Sequence, residues 1–284
     1  MIVKEINIYS ENNEFQYFET LKRNRNKRHS HGEFFVEGVR GINECIKNNW
    51  MVSSVIYSAE LSDWAKNILR NPFIKNAELY NLKKELMQKL SSKQDKDDTS
   101  ELIFIVKMKD DNLNKLRLSN NSIILVFDRP SNKGNLGTII RTCDSFGIDS
   151  LLIAGHAVDL YDPETIRASM GSFFNQEILR IPSFTELTDW IDKQREKFPD
   201  LKIIGTSAKA EKFVHTVNSE EFSSNPNIIL IGNETSGLSK NFLELCDISL
   251  KIPMYEKSSA SSLNVACAAS IILYEFTKNR NILF

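Results

Sequence analysis

The chain has 284 residues, of which 41% are hydrophobic and 26% are charged. This composition excludes a disordered chain and allows one large core or two modest ones. The net charge of −1 gives no global attraction to nucleic acid, so any such binding has to come from a local patch. We recognise neither a signal peptide nor an apolar run of the roughly 18 residues that a membrane span needs, and we expect a cytoplasmic protein without membrane association.

The four cysteines lie far apart in the sequence and lack the paired spacing of a metal site. This pattern favours free thiols in a reducing compartment and predicts no metal centre.

A basic run, KRNRNKRHSH, occupies Lys22–His31 and contains five Lys or Arg and two His without an acid. Two interpretations stay open. The run is either the solvated face of a helix or loop, or a patch that contacts RNA phosphates. In the second interpretation, Arg23, Arg25, Lys27 and Arg28 are the RNA-binding candidates, interleaved with asparagine donors.

Short strands that alternate with helices then predict a first α/β unit, which we place at residues 1–112. The predicted strands are Phe34–Val36, Val52–Tyr57, Ala77–Tyr80 and Leu102–Lys107. The polar segment Lys109–Asn121 is typical of a domain boundary.

A second unit begins with a run of apolar residues and continues with further strand and helix signals. The predicted strands are Ile123–Phe127, Leu151–Ala154, Glu177–Ile181, Lys202–Thr206, Ile228–Ile231 and Ile248–Ile252. Continuous apolar runs of this length, separated by helical segments, predict a mainly parallel sheet.

Two of these strands are followed at once by small and polar residues. Ile228–Ile231 leads into GNETSG, and Ile248–Ile252 leads to SASSLN. We therefore predict that the two strands are parallel neighbours whose C-terminal loops form a pocket.

The strand Ile123–Phe127 runs into DRPSNKGNLGTIIRTCDSFG, a loop rich in Gly and Asn and then a helix. This layout is typical of phosphate-binding loops, but neither GxGxxG nor GxxxxGK[ST] is present. Arg141 lies on this helix, whose Ile139, Ile140 and Cys143 should face inward. From the residues alone, Arg141 is either a surface ion-pair residue or a catalytic one.

The last helical segment, Leu263–Phe276, is apolar nearly all round and is interrupted only by Asn264, Ser270 and Glu275. A helix with this character has to be covered on most sides. We expect its own domain and a partner subunit to cover it.

Three blocks together resemble the ordered motifs of the SpoU/TrmH family. They are NKGNLGTIIRTCDSFG at Asn132–Gly147, LIGNETSGLS at Leu230–Ser239 and KIPMYEKSSASSLNVACAA at Lys251–Ala269. Members are S-adenosylmethionine-dependent RNA ribose 2′-O-methyltransferases. More loosely, FFVEGVRGINECI and the basic run resemble the substrate-binding domain, similar to certain ribosomal proteins, that many members carry.

The resemblance implies a fold and an assembly. The fold is α/β, with a smaller ribosomal-protein-like RNA substrate-binding domain at residues 1–112. A methyltransferase domain of the SPOUT superfamily follows at residues 122–284, with a mainly parallel sheet and a deep trefoil knot. The family forms homodimers through the C-terminal domain, partly through its last helix.

The resemblance also implies the residues of the site, by position in the three motifs. The implied catalytic positions are Asn135, Arg141, Glu234, Ser262 and Asn264. The implied S-adenosylmethionine pocket is formed by Gly232, Ile252 and Leu263, to which we add Thr206. Because the methyl group leaves a sulfonium, the reaction requires no metal. A guanidinium is a poor unassisted base, so we expect Arg141 to hold the ribose or its phosphate.

The implied reaction is methylation of a ribose 2′-hydroxyl in 23S ribosomal RNA. One alternative keeps the chemistry and takes tRNA as substrate. Another is a catalytically silent RNA-binding or assembly factor with the same fold. An unrelated nucleotide-binding protein would instead bind ATP or NAD.

Overall fold

The computed structural model describes residues 5–92, 100–216 and 225–280, and the chain divides into two compact units. The first unit comprises Met1–Lys109 and Asp159–Asn175, and the second comprises Asp110–Val158 and Gln176–Phe284. The sequence-based division differs from this one at Asp159–Asn175, because it assigns these residues to the second domain. The chain thus leaves the second unit, contributes a segment to the first, and returns.

The described strands are β1 (Glu5–Ile8), β2 (Glu33–Glu37), β3 (Val52–Ser58), β4 (Glu78–Leu82), β5 (Leu102–Lys107), β6 (Ile123–Asp128), β7 (Ser150–Ala154), β8 (Ile178–Ile181), β9 (Lys202–Thr206), β10 (Lys212–Phe213), β11 (Asn227–Ile231) and β12 (Ile248–Lys251).

The described α-helices are α1 (Asn13–Arg23), α2 (Arg25–His31), α3 (Val39–Lys47), α4 (Asp63–Leu69), α5 (Lys84–Leu90), α6 (Lys133–Ser145), α7 (Pro163–Ala168), α8 (Ser172–Asn175), α9 (Phe184–Lys197), α10 (Lys240–Leu245) and α11 (Val265–Thr277). Short 3-10 helices lie at Pro72–Ile74, Leu113–Lys115 and Val214–Thr216.

The first unit is built on a mixed sheet with the strand order β1-β4-β3-β5-β2. Strands β1, β4 and β3 are parallel, whereas β5 is antiparallel to both of its neighbours. Helix α1 covers this sheet because Phe15, Phe18 and Leu21, spaced by three residues, share one face and pack into the core with Ile56 and Ile103. Strand β1, at the sheet edge, is absent from our sequence-based prediction.

The basic run forms the end of α1 and the whole of α2. Asn24 lies between the two helices in an extended conformation, and its side-chain oxygen accepts a hydrogen bond from the backbone N–H of Lys27 at 3.1 Å. Asn24 therefore ends α1 and caps α2, as expected of an asparagine at a helix N-terminus.

The second unit is built on a sheet with the order β10-β12-β9-β11-β6-β7-β8, in which every pair is parallel. The predicted parallel sheet is thus confirmed. Every residue of β6, β7 and β11 is buried, which explains their continuous apolar runs, since helices cover both faces.

One prediction about this sheet is wrong. We expected the strands at Ile228–Ile231 and Ile248–Ile252 to be neighbours, but β9 pairs with both β11 and β12 and lies between them. A local apolar pattern identifies a strand and does not encode the order in which crossovers place it. The carboxyl ends of all three strands still meet at one edge, because the strands are parallel.

Within the part of the chain that the structure describes, no helix has both the length and the apolar character needed to cross a membrane.

Candidate active site

A pocket of about 460 Å³ opens at the carboxyl ends of β9, β11 and β12. All four residues predicted to hold the cofactor line it, namely Thr206, Gly232, Ile252 and Leu263. Its volume falls within the range of roughly 300–1,000 Å³ that is typical of small-molecule sites. The expected pocket therefore forms, although β9 separates β11 from β12.

The loop after β11 has to begin with a glycine. A Cβ atom at Gly232 would lie 2.1 Å from the backbone nitrogen of Leu238, so the chain approaches itself too closely for any side chain. The loop closes through two hydrogen bonds between Asn233 and Gly237, from each backbone N–H to the other carbonyl, at 3.1 and 3.0 Å. This tight turn forms one wall of the pocket.

Glu234, on this turn, accepts hydrogen bonds from the loop that precedes α6. One carboxylate oxygen accepts from the backbone N–H and the hydroxyl of Ser131, at 2.9 and 2.6 Å, and from Asn233 Nδ2 at 3.3 Å. The other accepts from the backbone N–H of Asn132 at 3.0 Å and from Asn135 Nδ2 at 3.4 Å. Desolvation raises the pKa of Glu234, but these hydrogen bonds outweigh it and lower the pKa below its ordinary value.

Asn135 connects this carboxylate to the last helix. While its Nδ2 faces Glu234, its Oδ1 accepts a hydrogen bond from Asn264 Nδ2 at 3.1 Å. Asn264 in turn caps α11, since its Oδ1 accepts from the backbone N–H of Ala266 at 2.8 Å. Three of the five implied catalytic positions therefore form one continuous hydrogen-bonded network.

A second polar contact holds the two helices of this network together. Thr142 Oγ1 lies 3.2 Å from Ser270 Oγ. Thr142 is seven residues, or about two turns, after Asn135 on the same face of α6. The pair therefore supports the register of α6 against α11 that brings Asn135 to Asn264.

The remaining two positions stand outside the network. Ser262 is exposed and lines the pocket. Arg141 is exposed on α6, about 120° around the helix from Asn135, given 100° per residue. Among the described residues, none pairs with its guanidinium, which is available to a ligand. As predicted, Ile139, Ile140 and Cys143 are fully buried.

An ion pair between a buried carboxylate and a half-buried arginine, which we did not predict, supports the same turn. Asp128, at the end of β6, is 1% exposed and accepts two hydrogen bonds from Arg129, at 2.8 and 3.0 Å, and one from the backbone N–H of Ser239 at 2.8 Å. Arg129 Nη2 also donates to the carbonyl of Gly237 at 3.2 Å, and the carbonyl of Arg129 accepts from Asn233 Nδ2 at 2.8 Å. Arg129, held by Asp128, thus bonds to Asn233 and Gly237, the first and last residues of the turn.

Some of these supporting residues left a signal in the sequence. Asn132 caps α6 by accepting from the backbone N–H of Asn135 at 2.9 Å, and an Asn shortly before a helix is a recognised capping signal. Ser131 and Asp128 gave no such signal, because the contacts by which they hold the turn, to Glu234 and to Ser239, reach across more than a hundred residues. Among the described residues, no group of His, Cys, Asp and Glu is arranged to hold a metal ion.

In the first unit, Arg28 has to be withdrawn from the RNA-binding candidates. Its side chain is 1% exposed and donates from Nε to Asp159 at 2.8 Å, and from Nη2 to Asp159 and Asp162 at 2.7 and 3.1 Å. Its Nη1 donates to the carbonyls of Leu21 and Lys22 at 2.8 and 2.9 Å. All its N–H donors are thereby satisfied within the protein, and none is left for a phosphate.

The other three candidates in the run are exposed. They are Arg23, Arg25 and Lys27, and Arg23 forms a surface ion pair with Glu19 at 2.9 Å. Burial of Arg28 fits neither interpretation of the run, and for the three exposed residues both interpretations stay open.

Comparison with known proteins identifies the family. Residues 122–274 match the SpoU rRNA Methylase family, and residues 12–104 match the SpoU L30e-like domain. The chain is 38% identical over 275 residues to the 23S rRNA (uridine(2479)-2′-O)-methyltransferase of Streptomyces viridochromogenes, covering 96% of this chain and 92% of that protein. It is 32% identical over 152 residues to the 23S rRNA (guanosine(2553)-2′-O)-methyltransferase RlmP of Bacillus subtilis, covering 53% and 56%.

The fold agrees with a solved structure over nearly the whole chain. The SpoU methyltransferase AviRb from Streptomyces viridochromogenes, in complex with AdoMet, superposes with a TM-score of 0.84 at 37% identity, covering 95% of this chain and 99% of that one. The chain belongs to the SpoU rRNA methylase family.

Proposed function

We propose that the protein transfers the methyl group of S-adenosylmethionine to a ribose 2′-hydroxyl of 23S ribosomal RNA. The observation that carries this proposal is the pocket at three strand ends, which is lined by Glu234, and the hydrogen bonds that connect Glu234 through Asn135 to Asn264. Relatives that cover most or half of this chain are named for this reaction on 23S rRNA. Ribosomal RNA as the substrate implies a cytoplasmic location.

The pocket fits S-adenosylmethionine in size and in lining. Its volume of about 460 Å³ suits a nucleoside-sized molecule. Leu238, Leu263 and Ile272 offer apolar surface to an aromatic base, and Gly232 leaves the backbone free of a side chain where the wall is tightest. When bound, S-adenosylmethionine supplies a methyl group on a sulfonium. Thr206, Gly232, Ile252 and Leu263 are the residues that we propose hold it.

The catalytic work of the chain is chiefly positioning of the 2′-hydroxyl. Glu234 is ionised at neutral pH, as its lowered pKa requires, and as a carboxylate it accepts five hydrogen bonds that fix the loop before α6. That loop sets the position of Asn135. Its amide orientation is fixed because Nδ2 donates to Glu234 and Oδ1 accepts from Asn264. We place the ribose against this network and Ser262.

Arg141 has a different role in this proposal. Its exposed guanidinium has no partner among the described residues, and a planar donor fork binds phosphate oxygens in a bidentate manner. We assign it to the phosphate beside the target ribose. A guanidinium has five N–H donors and no acceptor, so we assign the hydroxyl proton to a phosphate oxygen of the RNA and not to Arg141.

We further propose that the protein is a homodimer through α11. Ile271 and Tyr274, on this helix, are 39% and 51% exposed. Large hydrophobic side chains exposed together mark a surface that another subunit can cover.

We also propose that the second unit contains the trefoil knot of the family, and the chain path supports this proposal. After β11, the chain passes to the far side of β9 as β12, and α11 then returns to pack on α6.

The first unit is proposed to hold RNA. Three exposed cations of the basic run, Arg23, Arg25 and Lys27, support this assignment, since contacts to phosphates account for most sequence-independent affinity. We keep residues 1–112 as the RNA-binding domain and 122–284 as the methyltransferase domain, with Asp159–Asn175 added to the first.

The test is transfer of radiolabelled methyl from S-adenosylmethionine to total ribosomal RNA and, separately, to total tRNA, followed by mapping of the modified nucleotide. We expect label in 23S rRNA at a single 2′-O position. Label in tRNA alone would replace the substrate and keep the chemistry. Calorimetric binding of the cofactor without label in naked RNA or ribosomal subunits would favour a silent assembly factor.

A further inference from the structure

A second cavity, of about 240 Å³, lies at the carboxyl ends of β6, β7 and β8. It is lined by residues that follow these strands, among them Arg129, Gly155 and Ser183, and by the start of α10. Because the seven strands of this sheet are parallel, the cavity opens at the same edge as the pocket proposed for S-adenosylmethionine. It lies beyond the turn that begins at Gly232.

Three polar side chains of this cavity have hydrogen-bonding capacity to spare. Arg129 uses Nε and Nη2 on Asp128, and its Nη1 has no partner among the described residues. Ser239 begins α10, but its hydroxyl makes no capping hydrogen bond, which is unusual for a serine at this position. Asn241 is exposed, and no described residue bonds to its amide.

The rest of the cavity is apolar. Phe184 is half-buried, with its ring edge-on to that of Phe242 at 5.1 Å and 88°, and Leu187 lies beside it. Gly155 keeps the space open, since a Cβ atom there would lie 3.0 Å from Arg129 Cγ. An aromatic ring thus lines the same cavity as three hydrogen-bond donors.

From this combination we infer that the cavity receives a nucleobase of the RNA substrate, at or next to the methylated ribose; the inference rests on the proposed function. A base has a flat face for Phe184 and carbonyl or ring-nitrogen acceptors for Arg129, Ser239 and Asn241. The volume is below that of sites that enclose a whole cofactor, but it accommodates one ring system.

The charge of the cavity favours a neutral base over a phosphate. Asp128 neutralises Arg129 through two hydrogen bonds, and Asp128 also lines the cavity, so the pair has no net charge. A phosphate site would instead present an excess of positive charge. The remaining donors, a hydroxyl and an amide, are groups that read base edges.

The cavity is also close enough to the reaction to receive such a base. The carbonyl of Arg129 accepts a hydrogen bond from Asn233, next to Glu234, and Ser131, two residues further on, binds the Glu234 carboxylate. Two residue steps span at most about 7.6 Å between Cα atoms. A base in the cavity therefore belongs to the nucleotide at the catalytic network or to its neighbour.

The test compares Phe184→Leu and Asn241→Ala with wild type. The first retains apolar packing and removes the ring, and the second removes an exposed amide. Thr185→Ala, exposed and next to Phe184 but outside the cavity, is the matched control. We expect each cavity variant to raise the KM for ribosomal RNA about 5- to 150-fold, the range of one lost base contact, with the Kd for S-adenosylmethionine unchanged.

Affinity for RNA measured by filter binding, without the cofactor, separates this inference from the proposed function. If wild type binds rRNA without methylating it, the same loss of affinity in the variants still supports the cavity, while the proposed reaction fails. Cavity variants with wild-type KM and wild-type RNA affinity would overturn the inference. So would a parallel loss of cofactor affinity, which would indicate a displaced turn, or a wild type that binds no RNA.

Discussion

Replacing Glu234 by glutamine isolates the part that its carboxylate plays in the site. The carboxylate accepts five hydrogen bonds, from Ser131, Asn132, Asn135 and Asn233. A glutamine has one acceptor oxygen and one NH2 group, so at least one backbone N–H, of Ser131 or of Asn132, then faces another donor. Loss of a hydrogen bond to a charged group costs about 2 kcal/mol, which corresponds to about a 30-fold fall in kcat/KM if the loop has to be ordered for the reaction.

The assay is initial-rate methylation of ribosomal RNA, with Glu256→Gln as the control. Glu256 is exposed on the loop between pocket residues, and the same charge is removed there. Its kcat/KM should stay within about twofold of wild type, as is usual for an exposed substitution. A Glu234→Gln variant that kept more than half of the wild-type kcat/KM would refute the positioning role.

The acidity of Glu234 gives the same substitution a second, independent measurement. Its pKa in the folded protein lies below the ordinary value of 4.5, so its contribution to stability is fully present above pH 4.5 and is lost as the pH falls through the folded value. We expect the difference in Tm between wild type and Glu234→Gln to be constant near neutral pH and to shrink below pH 4.5. A difference that grew on acidification would contradict the assignment.

Three further predictions follow from single contacts. Gly232→Ala should weaken cofactor binding at least tenfold in calorimetry, because its Cβ atom would meet the backbone of Leu238; unchanged affinity would show that the turn relaxes. Arg28→Met should lower the free energy of unfolding by about 3–5 kcal/mol in denaturant titrations, because it removes the buried guanidinium that Asp159 and Asp162 share. Lys27→Gln should leave stability intact and reduce the salt slope of RNA binding by about one. Tyr274→Asp should give a monomer in sedimentation experiments, and a persistent dimer would place the interface elsewhere.

The strands of the second sheet were predictable from the sequence because a parallel sheet covered on both faces requires continuous apolar runs. Their order was not, since β9 enters between β11 and β12 through crossovers that leave no local pattern. The prediction of the pocket is nevertheless correct, because parallel strands bring their carboxyl ends to one edge of the sheet regardless of their order.

The site shows the same division between local and distant information. Asn264 and Asn132 cap helices, and capping is visible in the sequence. Arg28 looked like its neighbours in the basic run, but its partner Asp159 is 131 residues away. Charge alone does not separate a buried arginine from an exposed one.

The contribution of Asp159–Asn175 to the first unit has a consequence for how the protein is made. The guanidinium of Arg28 is buried against Asp159 and Asp162, and the indole N–H of Trp50 donates to the carbonyl of Phe174 at 2.9 Å. During synthesis, N-terminal domains generally fold first as the chain emerges. Here, Arg28 lacks its carboxylate partners until Asp162 has left the ribosome, and Trp50 lacks its partner until Phe174 has left it. By then β6, α6 and β7 of the second unit are already out. The first unit therefore completes its core only after the first part of the second unit has been synthesised.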